Sequence, residues 1–311
     1  MKCFLTIALL PALLLAGCTP RLPNTVKVER DLEYARVNNQ SFRLDLYEPK
    51  KIIGPLPVVV WIHGGAWNTG SKDPCPIGFM AAQNLAIVSL DYRLTTVAPF
   101  PTQLFDCKGA VRWLRANAAR LNLDPARIGI FGASAGGHLA LLLADTADHP
   151  ALEGDIGGNL AYSSRVQCVC AFYPPTDLDR LVTDPTLRTN PHTDVAMLLG
   201  GAIADHPAQA AAASPLTYVD SHCAPVFLLH GGADQLVPPE QSRIFYAALQ
   251  RAGVPSQLEI IPHRGHGIIA PLAAARDIYH FFNQYLGAPR HRKRSPRFAL
   301  SVLCAKKFPH S

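Results

Sequence analysis

The sequence predicts an α/β fold in which helices cover both faces of a mostly parallel central sheet. Five short runs are almost continuously apolar, as expected of strands that are buried on both faces. Helical segments separate several of these runs, and alternating strands and helices are typical of a parallel sheet. Glycine-rich or polar motifs follow four predicted strands, at the edge where open α/β sheets bind ligands. The five runs are Val58–Ile62, Leu85–Leu90, Ile128–Phe131, Val166–Phe172 and Val226–Leu229.

The first residues are predicted to be an export signal, residues 1–17. Lys2 precedes Phe4–Ala16, an apolar stretch of 13 residues that is too short for a transmembrane helix. It ends in Leu15-Ala16-Gly17-Cys18, which resembles the lipobox of bacterial lipoproteins. The resemblance implies cleavage before Cys18 and attachment of several acyl chains there, which would anchor the protein stably. An ordinary secretory signal is the alternative.

Residues 18–34 are polar, contain proline and are predicted to tether the domain to this anchor. The expected location is therefore the bacterial cell envelope, on the periplasmic face of a membrane. Thr19 and Pro20 do not resemble an inner-membrane retention signal, which favours the outer membrane.

Residues 35–287 are predicted to form the α/β domain. Val37–Tyr47 alternates apolar and polar residues, as a half-buried early strand does. Between the second and third apolar runs, apolar residues recur at spacings of three and four and predict a helix with one buried stripe. The run after Ser134 is apolar nearly all round, as expected of a central buried helix. Glu240–Ala252 and Leu272–Leu286 are the last predicted helices. The buried stripe consists of Leu104, Cys107, Val111, Leu114, Ala118 and Leu121.

Two segments show no alternation of strand-like and helix-like patterns. Residues 179–214 are rich in Asp, Pro, Thr and Ala, and are predicted to form a small cap over the site; a surface loop is the alternative. Residues 288–311 are basic and unpatterned, and are predicted to be a disordered tail.

Charge and cysteine content exclude several functions. Seven basic residues and no acidic residue follow residue 289, so the rest of the chain has a net charge of −1 and no nucleic-acid-binding face is expected. No pair of ligand clusters has the spacing of a zinc site, so we expect no metal. We also expect no other cofactor and no obligate protein partner. Cys168 and Cys170 lie two apart on a strand and face the same way, which predicts two buried free thiols.

The most informative motif is Gly132-Ala133-Ser134-Ala135-Gly136, a G-x-S-x-G between an apolar run and a helical one. Glycine permits the strained backbone and the close strand–helix approach that a Cβ would obstruct. The N-terminus of the following helix directs free N–H groups and a positive dipole towards Ser134, which suits a developing oxyanion. The pattern therefore predicts a nucleophilic serine.

Three further motifs follow predicted strands. His63-Gly64-Gly65-Ala66-Trp67 is a loop whose backbone N–H groups can line a cavity. Gly231-Gly232-Ala233-Asp234 and His263-Arg264-Gly265-His266-Gly267 supply an acid and a base. Serine, acid and histidine occur in the chain order of α/β triads. His263 is the alternative base and Asp177 the alternative acid.

On these residues the sequence resembles carboxylesterases of the α/β-hydrolase superfamily that carry an HGGxW loop. Within them it resembles most the feruloyl-esterase-like group called BD-FAE, to which hormone-sensitive-lipase-like esterases and kynurenine formamidases are related. The likeness covers roughly residues 35–287 and departs from the usual pattern at Pro174-Pro175, where a glycine is common. It rests on His63–Trp67, Asp91–Leu94, Asp124–Ala140, Asp234 and His266.

The resemblance implies a role for each motif. Ser134 would be the nucleophile, His266 the general base, and Asp234 the group that orients the imidazole. His63 is expected to brace its loop rather than to catalyse. Trp67 is expected to pack beneath that loop, with the wall of an acyl pocket as the alternative. The N–H groups of the oxyanion hole would be those of Gly65, Ala66 and Ala135.

The function implied is a serine carboxylic ester hydrolase that acts through an acyl-serine on short-acyl or carbohydrate-linked acetyl or feruloyl esters. A kynurenine-formamidase-like amidohydrolase is one alternative, although predicted export argues against it. A catalytically inactive hydrolase fold that serves as an envelope-bound binding protein is another, although every motif residue is present. The expected partners are a small-molecule ester and, through the lipid anchor, a membrane.

Overall fold

The computed structural model describes residues 22–185, 191–267 and 272–287. Within them lies an eight-stranded sheet in the order β1-β2-β4-β3-β5-β6-β7-β8. β1 and β2 pair antiparallel, as do β2 and β4, while β3 to β8 are parallel. The α/β prediction with a mostly parallel sheet is confirmed. The strands are β1 Val26–Val37, β2 Gln40–Pro49, β3 Leu56–Ile62, β4 Ala86–Leu90, β5 Leu123–Ala133, β6 Cys168–Phe172, β7 Val226–Gly231 and β8 Ser256–Ile261.

Helices cover the sheet on both faces, which explains the continuously apolar central strands. Successive side chains of a strand point to opposite faces. In β3, Val58, Val60 and Ile62 pack with α1 and α2, whereas Val59 and Trp61 pack in the core that contains α7. The helices are α1 Thr102–Ala116, α2 Ala135–Asp145, α3 Leu178–Thr183, α4 His192–Leu199, α5 Pro207–Ala212, α6 Glu240–Arg251 and α7 Leu272–Leu286.

The predicted start of the domain at residue 35 is wrong. Residues 26–34, assigned to the tether, form most of β1 and pair with β2. Two register irregularities interrupt this pairing, so apolar and polar residues do not alternate strictly. The strand lies at the sheet edge and carries many charged residues, which gave it the appearance of a polar linker.

Several sequence predictions fall outside the described residues. They concern the signal in residues 1–17, lipidation at Cys18 and the tail 288–311. Among the residues that the structure does cover, no helix is long and apolar enough to cross a membrane. Within the same ranges Cys168 and Cys170 are buried free thiols on one face of β6, as predicted.

The segment predicted as a cap, residues 179–214, contains most of α3 together with α4 and α5. It lies between β6 and β7 and packs beside the loop that follows β3. The Asn68 side-chain amide donates to Asp194 on α4 at 2.8 Å. The backbone N–H of Phe100 donates to the Leu198 carbonyl, also on α4, at 2.7 Å. The segment therefore lies beside the C-terminal ends of the strands, where the motifs are found.

Candidate active site

Ser134 occupies a strained turn between β5 and α2. Its φ of 55° and ψ of −123° are rare for a residue with a side chain. The surrounding structure holds the turn in place, since the Ser134 N–H donates to the Phe172 carbonyl at 2.9 Å. Such strain persists only where neighbouring contacts enforce it, and it is common at functional sites.

The two glycines of the motif are required by close backbone approach. A Cβ on Gly132 would lie 2.1 Å from the Gly136 carbonyl oxygen, and a Cβ on Gly136 would lie 2.1 Å from that of Ile62. Neither distance is tolerable between non-bonded heavy atoms. The spacing G-x-S-x-G is thus what allows α2 to begin directly against β3 and β5.

Three side chains from three strand ends form one hydrogen-bonded chain. His266 Nε2 lies 2.9 Å from Ser134 Oγ, and His266 Nδ1 lies 2.7 Å from Asp234 Oδ2. A carboxylate only accepts, so Nδ1 carries the proton and donates to Asp234. Nε2 is then free to accept from the serine hydroxyl. The imidazole is in the tautomer that a general base requires.

The alternative acid and base lie elsewhere. Asp177 caps α3, where its carboxylate accepts from the Arg180 N–H at 3.1 Å and pairs with the Arg180 guanidinium at 3.2 Å. His263 is exposed, in a turn with φ of 59°. The geometry thus favours Asp234 and His266 for the two roles, which remain predictions until a reaction is measured.

The Asp234 carboxylate is buried and fully surrounded by donors. Oδ1 accepts from the N–H groups of Leu236 and Val237 at 2.9 and 3.0 Å. Burial alone raises the pKa of Asp234, but donors from His230 and His266 outweigh it and hold that pKa well below its ordinary range. Asp234 therefore stays ionised wherever an imidazole can act as a base.

His230 was missed by the sequence analysis. It is wholly buried at the end of β7, and its Nε2 lies 3.4 Å from Asp234 Oδ2. The available signal was a histidine that ends an otherwise apolar strand, four residues before the acid.

Tyr173 was missed as well. Its ring lies 4.4 Å from the His266 ring, and its backbone has a φ of 38° at the end of β6. No sequence pattern indicates this contact, because it arises from the packing of two separate loops.

The residues His63–Trp67, the HGGAW loop, pack directly against the serine turn. A Cβ on Gly64 would lie 3.3 Å from the Ser134 Cβ, and one on Gly65 would lie 2.3 Å from the Thr69 carbonyl oxygen. Ala66 adopts a φ of 49°, which turns the loop sharply. Within the described ranges, the N–H groups of Gly65, Ala66 and Ala135 donate no hydrogen bond, so the protein itself does not engage these predicted oxyanion donors.

Trp67 lies beneath this loop. It is 3% exposed, and its indole N–H donates to His138 Nδ1 at 3.1 Å. His138 Nε2 in turn donates to the Ala213 carbonyl at 2.6 Å, which ties α2 to the end of the cap segment. Burial lowers the pKa of His138 to about 4, so the ring stays neutral and keeps this orientation near pH 7. Trp67 therefore packs beneath the loop, and a role in the wall of an acyl pocket stays a prediction.

His63 braces the loop from the other side. Its ring stacks on Tyr92 at a centroid distance of 4.2 Å, and the Tyr92 hydroxyl donates to the His63 carbonyl at 3.0 Å. Burial lowers the pKa of His63 to about 4. A neutral, stacked imidazole fits the structural role expected for it.

Known proteins are similar to this chain in sequence and in fold. The BD-FAE family model matches residues 44–249. Esterase LipQ of Mycobacterium tuberculosis is 32% identical over 251 residues, which are 78% of this chain and 57% of LipQ. A truncated carbohydrate esterase from gut microbiota has a TM-score of 0.78 at 27% identity, covering 86% of this chain and 99% of that one. Propionate-bound Est2 of Thermogutta terrifontis has a TM-score of 0.69 at 26% identity, covering 87% and 97%.

The chain therefore spans just over half the length of LipQ, whereas it spans nearly all of the two solved structures. The family match covers the HGGAW loop, Ser134 and Asp234 within two thirds of the chain. On the sheet order, the motifs and these matches, the chain belongs to the BD-FAE family of α/β-hydrolase carboxylesterases.

Proposed function

We propose that this protein is a serine carboxylic ester hydrolase that acts, through an acyl-Ser134 intermediate, on short-acyl esters or on carbohydrate-linked acetyl or feruloyl esters. The observation that carries the proposal is the hydrogen-bonded chain from Asp234 through His266 to Ser134 Oγ, at 2.7 and 2.9 Å. Because the protein itself does not engage the neighbouring backbone N–H groups, the same place offers both a nucleophile and electrostatic stabilisation.

The reaction follows from this geometry. Ser134 Oγ attacks the ester carbonyl carbon while its proton moves to His266 Nε2, and Asp234 stabilises the imidazolium. The carbonyl oxygen becomes an oxyanion, which the N–H groups of Gly65, Ala66 and Ala135 would bind; each donor is worth roughly 3 kcal/mol in such sites. His266 then gives its proton to the departing alcohol. Water enters, loses a proton to His266 and attacks the acyl carbon, which releases the acid and restores Ser134.

The choice of substrate rests on likeness and on the cap segment. One similar structure is named a carbohydrate esterase and another was solved with propionate bound. Trp67 is buried beneath the HGGAW loop, where its indole N–H donates to His138. The cap segment lies beside the site, where Asp194 on α4 accepts a hydrogen bond from Asn68, directly after the HGGAW loop. The relatives named above are esterases, which disfavours the amidohydrolase alternative.

A series of esters that differ only in acyl length tests this substrate class. We expect the highest kcat/KM for acetyl to butyryl esters and poor turnover beyond about eight carbons, because a closed pocket cannot gain the ~0.8 kcal/mol per methylene that an open groove gains. Acetylated and feruloylated sugars, assayed alongside, report on the alcohol side. A kcat/KM that rises steadily to dodecanoyl esters would contradict the short-acyl proposal and indicate a lipase-like groove.

We also propose that the mature protein is lipid-anchored through Cys18 at the periplasmic face of the outer membrane. The support is the lipobox-like Leu15-Ala16-Gly17-Cys18 after a short apolar run. Cys18→Ser should abolish labelling with radioactive palmitate and leave a precursor or a soluble form. The matched control is Cys223→Ser, which removes a buried thiol of the domain and should keep the label. A wild-type protein that takes up no palmitate would refute the anchor.

A further inference from the structure

His230 lies beside Asp234, and its ring contacts three polar groups. Its Nδ1 is 2.7 Å from Ser242 Oγ on α6, and its Nε2 is 2.9 Å from the Val237 carbonyl oxygen. The same Nε2 is 3.4 Å from Asp234 Oδ2, the oxygen that accepts from His266. His230 and Ser242 are both wholly buried, so water does not supply these contacts.

The partners fix the protonation of this ring. A backbone carbonyl can only accept, so Nε2 must carry a proton and donates to the Val237 carbonyl, while the same nitrogen stays 3.4 Å from Asp234 Oδ2. Ser242 can then donate its hydroxyl to the unprotonated Nδ1. The buried serine thus selects the tautomer of His230 that directs a donor at Asp234.

We infer that His230 is a positioning residue for the proposed ester hydrolysis, which it controls by sharing Asp234 Oδ2 with His266. A second donor on one carboxylate oxygen withdraws charge from it, so Asp234 stabilises the His266 imidazolium less strongly than an unshared carboxylate would. His230 thereby shares the carboxylate oxygen that holds His266, and Ser242 keeps His230 in the orientation that does so.

Two other residues, Tyr173 and Ser134, contact His230 or His266, and neither would account for a change caused by removing the His230 ring. Tyr173 on the loop after β6 packs 4.4 Å from the His266 ring and 6.4 Å from the His230 ring. Burial raises the pKa of Tyr173 far above neutrality, so the phenol does not ionise in the range of a kinetic assay. Ser134 completes the set on the other side of His266.

His230→Phe tests the inference because it fills the same space without an N–H. In the pH profile of kcat/KM for a p-nitrophenyl ester, the midpoint of the acidic limb should move up by at least about half a pH unit. The variant should therefore be less active than the wild type at acid pH. The plateau kcat should fall about tenfold with KM unchanged, since Asp234 is less firmly held. His230→Gln keeps an N–H near the Nε2 position and should restore most of the wild-type profile. His222→Phe, at an exposed histidine, is the matched control.

A second readout does not depend on the substrate. The downfield proton resonance of His266 Nδ1–H can be followed against pH in Ser134→Ala. When His230→Phe is added, the pH midpoint of the change in this resonance should rise by the same amount as the midpoint of the acidic limb. Absence of ester turnover in the wild type would defeat the proposed function and leave this measurement standing. Ser242→Ala should raise the same pH midpoint by a smaller amount. This variant replaces His230→Phe in the experiment if His230→Phe does not fold. An unmoved limb and an unmoved resonance in these variants would overturn the inference.

Discussion

Replacing Ser134 by alanine should lower kcat by about three orders of magnitude or more, which corresponds to roughly 4 kcal/mol of lost transition-state stabilisation. The change removes the only atom that can form the acyl intermediate and leaves the strained turn in place, because its backbone hydrogen bond to Phe172 does not involve the side chain. Thermal unfolding should therefore be nearly unchanged. Steady-state kinetics with p-nitrophenyl acetate, together with a melting curve, measures both.

The same reasoning applies to the other two residues of the hydrogen-bonded chain, His266 and Asp234. His266→Ala should cost about as much as Ser134→Ala, and the double variant should cost little more, because the two residues act as one unit. Asp234→Asn should cost less, since Asp234 orients and stabilises without accepting the proton. Wild-type activity in either single alanine variant would contradict the assignment.

Replacing Asp145 by asparagine should flatten the pH dependence of the free energy of unfolding. Asp145 ends α2, and both of its carboxylate oxygens are buried. Apart from the Cys223 thiol, a weak donor, no described group donates to either oxygen. Burial raises the pKa of Asp145 to about 8, and the negative charge of Asp220 acts in the same direction. The folded protein thus holds a proton here that the unfolded chain releases.

The sign of the effect follows from proton linkage. An unfolded Asp145 ionises near pH 4, whereas the folded one ionises near pH 8, so the folded state binds more protons between these values. Stability from this group is complete below pH 4 and is lost as the pH rises through 8, at up to about 1.4 kcal/mol per pH unit. His63 and His138, whose pKa values are lowered, act in the opposite direction at acid pH. The quantity to compare is therefore the difference between variant and wild type.

Urea unfolding at pH 5 and at pH 8 gives that difference. The stability of Asp145→Asn relative to wild type should increase between the two values by at least about 2 kcal/mol. Asp155→Asn, at an exposed carboxylate on the loop after α2, is the control and should follow the wild type. Parallel pH dependences for Asp145→Asn and wild type would show that this carboxyl is solvated or ionised in the folded protein.

The parts of the fold that sequence predicted are those with a local physical signature. Strands buried on both faces need apolar residues throughout, so β3 and β7 were visible directly. Ser134 was visible because close backbone approach admits only glycine at two fixed positions beside it. These constraints act within a few residues, so a single sequence reveals them.

The parts that were missed depend on tertiary packing. β1 has charged residues and irregular pairing, and only its contact with β2 makes it a strand. Tyr173 meets His266 through the packing of two separate loops, which no short pattern encodes. His230 carried a local signal, four residues before Asp234, but only the folded turn after β7 shows that the two side chains meet. Trp67 fits either a pocket or a core by its size, and its hydrogen bond to His138 depends on packing that the sequence does not reveal.

Labelling with a fluorophosphonate probe tests the central claim most directly, because such a probe reacts covalently only with a serine that is activated as a nucleophile. Intact mass and peptide mapping after labelling should show one adduct per chain, located on Ser134. The adduct should be absent in Ser134→Ala and strongly slowed in His266→Ala, while the exposed-site variant His222→Phe should label like the wild type. A folded wild-type protein that forms no adduct, or one that forms it on another serine, would contradict the proposal that Ser134, His266 and Asp234 constitute the catalytic site.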